Sequence, residues 1–154
     1  PPASWRLQVP SALRAPASAY LHVRANDMSF PDAFNAWLDR AVGDGVPQSV
    51  EAFSFNLFEP ARARDAKFGV ELIGAGEFSS TNVDWACEEV WEPTDRRLNI
   101  PLSFSGETWE ECLLAIQSLV QTALAADTTT ARILKSRQGV GIGFVDGDLS
   151  VVWP

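Results

Sequence analysis

The sequence has very little histidine, cysteine or methionine, residue types that much enzymatic and metal chemistry uses. Its 154 residues include one histidine, His22, two cysteines, Cys87 and Cys112, and one methionine. Two cysteines are too few for a disulfide framework or a four-cysteine zinc site. These shortages argue against most enzyme classes, so we expect no catalytic residue, no cofactor and no metal site.

Long apolar runs are also missing from the sequence. No run approaches the roughly 20 apolar residues that a membrane span needs. The first residues lack a basic start followed by an apolar stretch, so we expect no signal peptide and a cytoplasmic location. With 46% hydrophobic and 21% charged residues, the composition is typical of a globular domain.

Acidic residues outnumber basic ones, and the excess lies in one part of the chain. The net charge is −8, and the segment from Glu71 to Glu111, with ten acids and two bases, accounts for all of it. This balance disfavours nucleic acid or an anionic membrane as partner. If the segment folds onto one side, it forms a negative patch that steers a basic partner. A solubilising face is the alternative explanation.

The proline pattern divides the chain into an arm and a domain. Four prolines among small residues predict an extended, proline-rich arm over residues 1–18. A single α+β domain is predicted over residues 19–154. It begins with a strand in the alternating run Tyr20–Ala25, where we interpret His22 as a surface or partly buried residue rather than a catalytic base.

Two long amphipathic helices are predicted from their capping residues and apolar stripes. Ser29 is placed as the N-cap of the first helix, whose stripe runs from Phe30 to Ala41 and which ends at Gly43. Thr108 is placed as the N-cap of the second, whose stripe from Trp109 to Leu124 includes Cys112 as a small buried hydrophobe. A short third helix is predicted over residues 131–136.

Residue alternation with a period of two predicts the remaining strands. Residues 50–58 and 67–73 are expected to form an antiparallel pair, and a short strand near residue 100 is expected to end at Pro101. Around Asp146 and Gly147, two alternating runs predict a C-terminal β-hairpin with a two-residue type I′ turn. The expected fold class is α+β, with a mainly antiparallel sheet and two long helices packed on one face.

The most unusual segment of the sequence is 84–93, which contains two tryptophans, one thiol and four acids. A nucleophilic role for Cys87 with His22 as base is disfavoured, because neighbouring carboxylates raise the pKa of a thiol. Paired carboxylates such as Glu88 and Glu89 leave a small hydrolase or carbohydrate-active protein as an alternative. That chemistry requires two carboxyl groups roughly 5 to 10 Å apart across a cleft.

A protein-binding role for the same segment does not require a cleft or a fixed distance between carboxyl groups. Aromatic residues act as interface anchors, and carboxylates around them pair with arginine and lysine. If the segment is extended, Trp85 and Trp91 lie on the same side. The alternative is that both tryptophans belong to the core and the acids coat its edge. The predicted partner-binding residues are Asp84, Trp85, Glu88, Glu89, Trp91 and Glu92.

Four parts of the chain together carry a resemblance to a known class of protein. They are the segment Asp84-Trp85-Ala86-Cys87-Glu88-Glu89, the Leu98-x-Ile100-Pro101 strand, the helix start Trp109-Glu110-Glu111, and the terminal run Gly139–Asp148. Together they resemble small cytosolic immunity proteins of bacterial polymorphic-toxin and contact-dependent inhibition systems, over about Val50 to Trp153.

The resemblance implies an acidic α+β protein without catalysis. Such a protein binds and blocks a secreted or contact-delivered toxin, commonly a basic nuclease. The arm before Tyr20 has no counterpart in these proteins. The family defines no contact residues that carry over, so the predicted site rests on charge and aromatic pattern alone. We therefore expect a non-enzymatic protein whose partner is a cognate toxin domain, with no nucleic-acid or membrane partner.

Overall fold

The computed structural model describes residues 28–154, which form an α+β fold around one six-stranded mixed sheet. The arm over residues 1–18, the strand predicted at Tyr20–Ala25 and His22 lie outside the described residues. Within residues 28–154, no helix is long and apolar enough to cross a membrane.

Along the described chain, three consecutive helices separate the first four strands from the last two. In chain order the helices and strands are α1 (Phe30–Gly43), β1 (Ala52–Phe58), β2 (Phe68–Ala75), a 3₁₀ helix (Val83–Cys87), β3 (Glu89–Trp91), β4 (Arg97–Ile100), α2 (Leu102–Ser105), α3 (Trp109–Ala125), α4 (Thr129–Lys135), β5 (Gly139–Phe144) and β6 (Leu149–Trp153).

Side-chain caps begin both long helices where the sequence predicts them. The Ser29 hydroxyl accepts a hydrogen bond from the Asp32 N–H at 3.3 Å. The Thr108 hydroxyl accepts one from the Glu111 N–H at 3.2 Å, and the Glu111 carboxylate accepts one from the Glu107 N–H at 3.1 Å. The two bonds to hydroxyl groups satisfy N–H groups that the first helical turn leaves unpaired.

The sheet has the order β3-β2-β1-β5-β6, and β4 also pairs with β2. The predicted antiparallel pairing of β1 with β2 is confirmed, with Phe55 opposite Leu72. On its other side β1 pairs with β5 in parallel, and Phe55 lies opposite Ile142. The sheet is therefore mixed, which corrects the expectation of a mainly antiparallel one. The helices between β4 and β5 make this possible, because a parallel strand needs a long crossover.

One face of the sheet forms the main core together with the helices. Phe53, Phe55 and Leu57 of β1 lie on this face and are fully buried. Besides α1 and α3, the short helix α4 contributes to the core, so more than the two predicted helices pack here. The members contributed by helices are Phe34, Trp37, Leu38, Ala41, Val42, Cys112, Ile116, Leu119, Val120, Leu124 and Leu134.

The opposite face carries a second, smaller core at one end of the sheet. Trp85 of the 3₁₀ helix is 1% exposed and packs edge-to-face on Phe78, with ring centroids 5.2 Å apart. Glycines of β5 leave room for both rings. A Cβ at Gly141 would lie 3.0 Å from the Trp85 indole, and one at Gly139 would overlap the Phe78 ring. The bare surface of β5 therefore lets the 3₁₀ helix lie close to the sheet.

The C-terminal β-hairpin forms, but its turn differs from the prediction. β5 and β6 pair antiparallel, with Gly143 opposite Leu149. Four residues, Val145–Asp148, connect them, and the Gly147 N–H donates to the Phe144 carbonyl at 2.9 Å. Within residues 28–154 positive φ occurs only at Gly45 and Gly106. A type I′ turn needs positive φ at both central residues, so the type I′ prediction is wrong.

Substituting Gly143 tests the close approach of the two hairpin strands. A Cβ at this position would lie 2.4 Å from the Asp148 carbonyl oxygen and 3.1 Å from the Leu149 Cα. Because backbone must move, we expect Gly143→Ala to lower the free energy of unfolding by about 2 kcal/mol, measured by urea denaturation. The control is Gly43→Ala, whose Cβ would meet no heavy atom within 4 Å. Equal stability of the two variants would contradict the packing described.

Candidate functional site at the acidic segment

The segment that contains the predicted site residues is not a continuous strand. Residues Val83–Cys87 form the 3₁₀ helix, and only Glu89–Trp91 are extended. The Asn82 side chain begins the 3₁₀ helix by accepting a hydrogen bond from the Asp84 N–H at 3.1 Å. Because a 3₁₀ helix turns the chain every three residues, the strand geometry that would align Trp85 with Trp91 does not apply.

The structure places the two tryptophans of the segment inward. Trp85 is buried in the smaller core, so it is not an exposed interface anchor, and that part of the site prediction is corrected. Trp91 is half-buried and packs edge-to-face on Phe53, with ring centroids 6.2 Å apart. The alternative that the sequence left open, tryptophans in the core with acids outside, describes Trp85 directly.

Glu89 and Glu92, two of the predicted contact residues, are bound within the protein by Arg96. The Arg96 guanidinium donates to Glu89 at 3.3 Å and also to Glu92. It makes a further ion pair with Glu71 of β2, with Nε 3.0 Å from the carboxylate. One cation therefore draws together three carboxylates, from β2, β3 and the β3–β4 connection.

Glu71 is the buried member of this cluster, 6% exposed on the sheet face opposite the long helices. Its carboxylate also accepts hydrogen bonds from Arg97 Nε at 3.2 Å and from the Asn56 amide at 3.4 Å. Burial alone would raise the pKa of Glu71, but its hydrogen bonds with Arg96 and Arg97 outweigh burial and lower the pKa. The bond to Glu71 likewise raises the pKa of Arg96. The cluster thus links the strands through ion pairs.

The remaining acids at this end of the sheet face solvent. Glu77, Asp84 and Glu88 are exposed, and none has an ion-pair partner within residues 28–154. Beside them Val83 and Val90 are 50% and 51% exposed. We call these five residues the β3 surface. Cys87, which lies between them in the chain, is also exposed.

The sequence predicts one negative patch if residues 71–111 fold onto one side of the protein. The acids of this segment instead lie at both ends of the sheet. Trp109, at the start of α3, contacts Phe144 at the last residue of β5, with ring centroids 6.2 Å apart. The β3 surface lies at the other end of the sheet, where the Gly76 N–H donates a hydrogen bond to the Glu88 carbonyl. Because the strands between are about 20 Å long, Glu107 and Glu110 belong to a separate acidic region.

Trp109 is the exposed aromatic residue that the sequence analysis missed. Its apolar spacing in α3 placed it with the core, yet 56% of it is exposed. It is the first residue of the helix, and its ring contacts Phe144 at the end of β5. Its position at the helix start, between Glu107 and Glu110, is the sequence feature that would have indicated exposure. Cys112, one turn later, is fully buried as predicted, and burial raises its pKa to about 12.

Two cavities of the described region lie away from the predicted site residues. One, of about 370 Å³, is lined by charged residues that include Arg64, Lys67 and Glu107. The other, of about 320 Å³, is lined by residues that include Glu51 and Arg137. Within residues 28–154, no three or more His, Cys, Asp or Glu side chains form a group that could hold a metal ion.

No family model, no curated protein and no solved structure matches this chain.

Replacing the buried carboxylate of Glu71 tests whether the Arg96 ion pairs stabilise the fold. We expect Glu71→Gln to lower the free energy of unfolding by about 2 kcal/mol at pH 7, because Arg96 loses its buried counter-ion. The lowered pKa means that Glu71 stabilises the fold above its ordinary pKa of 4.5 and loses this effect as pH falls through the lowered value. Urea denaturation should therefore show the difference from the wild type shrinking below pH 4.5.

The control for this prediction is Glu59→Gln, at an exposed glutamate with no ion-pair partner in the described chain. It should change stability little at either pH. A Glu71→Gln variant as stable as the wild type at pH 7 would show that the cluster does not hold the strands together.

Proposed function

We propose that this protein is a non-enzymatic immunity protein that binds and neutralises a cognate, basic toxin domain in the cytosol, with a nuclease as the expected class of toxin. The observation that carries the proposal is the β3 surface, where Glu77, Asp84 and Glu88 have no ion-pair partner among the described residues and lie beside exposed valines. Unpaired carboxylates on an apolar surface suit a partner that brings its own arginines and lysines.

The proposed contact set differs from the sequence expectation in a definite way. Asp84 and Glu88 remain in it, because their carboxylates face solvent. Glu89 and Glu92 take part only through the field of the cluster, since Arg96 already binds both. Val83 and Val90 replace the tryptophans as the apolar contacts of this surface.

The β3 surface is held in place before any partner arrives. The Gly76 N–H donates to the Glu88 carbonyl at 2.8 Å, and the Glu88 N–H donates to the Trp85 carbonyl at 3.1 Å. Buried Trp85 fixes the 3₁₀ helix from below. A surface fixed in this way loses little conformational entropy on binding, which supports tight inhibition.

The alternative, a small hydrolase with paired carboxylates, has less support. Glu89 and Glu92 do come together, but the Arg96 guanidinium occupies the position between them. The buried carboxylate nearby, Glu71, has a lowered pKa, whereas a general acid at neutral pH needs a raised one. No observation at this site favours glycan hydrolysis.

The proposal is tested by co-expression with the product of the adjacent upstream gene. We expect rescue from growth arrest and a co-purifying complex that weakens as salt rises, because exposed charges are screened. A neighbour that stays toxic and forms no complex would remove that pairing. Hydrolysis of a glycan by the purified protein, lost on Glu89→Gln, would instead support the alternative.

Charge reversal on the β3 surface gives the sharper kinetic test. We expect Asp84→Lys together with Glu88→Lys to slow association with the toxin domain by about 10-fold to 100-fold and to flatten its salt dependence. The measurement is surface plasmon resonance at several salt concentrations. The matched control reverses Asp44 and Glu59, exposed acids elsewhere in the chain, with the same change in net charge. Equal slowing in both variants would mean that net charge, and not this surface, guides binding.

A further inference from the structure

The exposed Trp109 is firmly seated on the protein. Its ring packs edge-to-face on Phe144, and Phe144 packs edge-to-face on Phe68, with ring centroids 6.2 and 5.5 Å apart. Phe68 is 1% exposed. The row of rings therefore extends from the core outward and holds an exposed indole at its end.

Val145 is a second exposed apolar residue at the same end of the sheet as Trp109. It follows Phe144 at the start of the hairpin turn and is 57% exposed. Its N–H donates to the Leu57 carbonyl at 3.0 Å, and the Gly147 N–H closes the turn on Phe144. The backbone that carries Val145 is thus fixed by hydrogen bonds on both sides of the residue.

Four exposed carboxylates flank these two side chains in the chain and have no ion-pair partner within residues 28–154. They are Glu107, Glu110, Asp146 and Asp148. Together with Trp109 and Val145 we call them the Trp109 surface.

The basic residues next to this surface leave its carboxylates free. Lys67 donates from Nζ to the Glu107 backbone carbonyl at 2.5 Å and lies 5.7 Å from the Phe68 ring centroid. Arg64 and Lys67 line a shared cavity with Glu107. Neither makes an ion pair with the four carboxylates.

We infer that the Trp109 surface is a docking site for an arginine-bearing protein segment, in which a guanidinium stacks on the exposed indole while the flanking carboxylates pair with neighbouring cations. Charge complementarity selects this occupant, because the acids outnumber the nearby bases. A planar guanidinium stacks on tryptophan better than a compact ammonium group does. Tryptophan is also the residue type most enriched among energetically dominant contacts.

This inference goes beyond the immunity proposal, because it concerns the opposite end of the sheet and a different recognition group. It also has a test that does not require the toxin. The probe is a synthetic peptide of alternating arginine and glycine, with matched peptides in which lysine or uncharged citrulline replaces arginine.

The measurement is a peptide titration followed by two-dimensional ¹H–¹⁵N NMR of the full chain. The Trp109 indole N–H signal is identified by its loss in Trp109→Leu. We expect a saturable shift of this signal, a weaker response to the lysine peptide and none to citrulline. Trp109→Leu should weaken the apparent Kd by about tenfold.

Two further variants keep the result decisive. Asp146→Asn together with Asp148→Asn removes charge without touching the ring, so it tests the surface even if Trp109→Leu is unstable, and it should weaken binding by about threefold. The matched control, Asp39→Asn with Asp44→Asn at two exposed acids near the end of α1, should leave the Kd within about twofold. An unshifted indole, an unchanged Kd in the Trp109 and Asp146/Asp148 variants, or equal binding of citrulline would overturn the inference, whatever the toxin experiment shows.

Discussion

A single guanidinium group, that of Arg96, holds the acidic end of this protein together. It binds Glu71 on β2, Glu89 on β3 and Glu92 after β3, so segments with little backbone pairing become one unit. β3 itself pairs with β2 at only two positions. Without Arg96, a buried carboxylate on the sheet would lack its main counter-ion, which is far more costly than losing an exposed ion pair.

The same cluster divides the carboxylates of this protein into two groups. Those bound by Arg96 are structural, although three carboxylates and the two guanidinium groups of Arg96 and Arg97 still leave one formal negative charge. Those on the β3 surface and around Trp109 have no ion-pair partner within residues 28–154. A charge count along the sequence cannot separate the two groups. Geometry at Arg96 makes the distinction, because only carboxylates within its reach are paired.

Features that depend on neighbours in the sequence were predictable, and those that depend on distant residues were not. Ser29 and Thr108 cap helices through bonds three residues away, so both helix starts followed from local pattern. The parallel pairing of β1 with β5 joins residues far apart in the chain, and no local signal specifies it. Trp85 is buried because β5 offers glycines beneath it, and Trp109, the first residue of α3, contacts Phe144 at the end of β5 while most of it stays exposed. Both outcomes depend on tertiary placement, which is why local pattern indicated exposure for Asp84 and Glu88 but not the burial of Trp85.

The parallel pairing at the centre of the sheet has a consequence for how the chain folds. Because Ala52 pairs with Gly139, the middle of the sheet closes only after almost the whole domain has left the ribosome. Pairings of such long sequence separation form slowly, since a large loop must be ordered first. Until β5 has been synthesised, the edge of β1 that pairs with it stays open, although the residues of α1, β1 and β2 have already left the ribosome. The nascent protein therefore passes through a stage with an unpaired apolar strand, which is the stage at which a chaperone has most to protect.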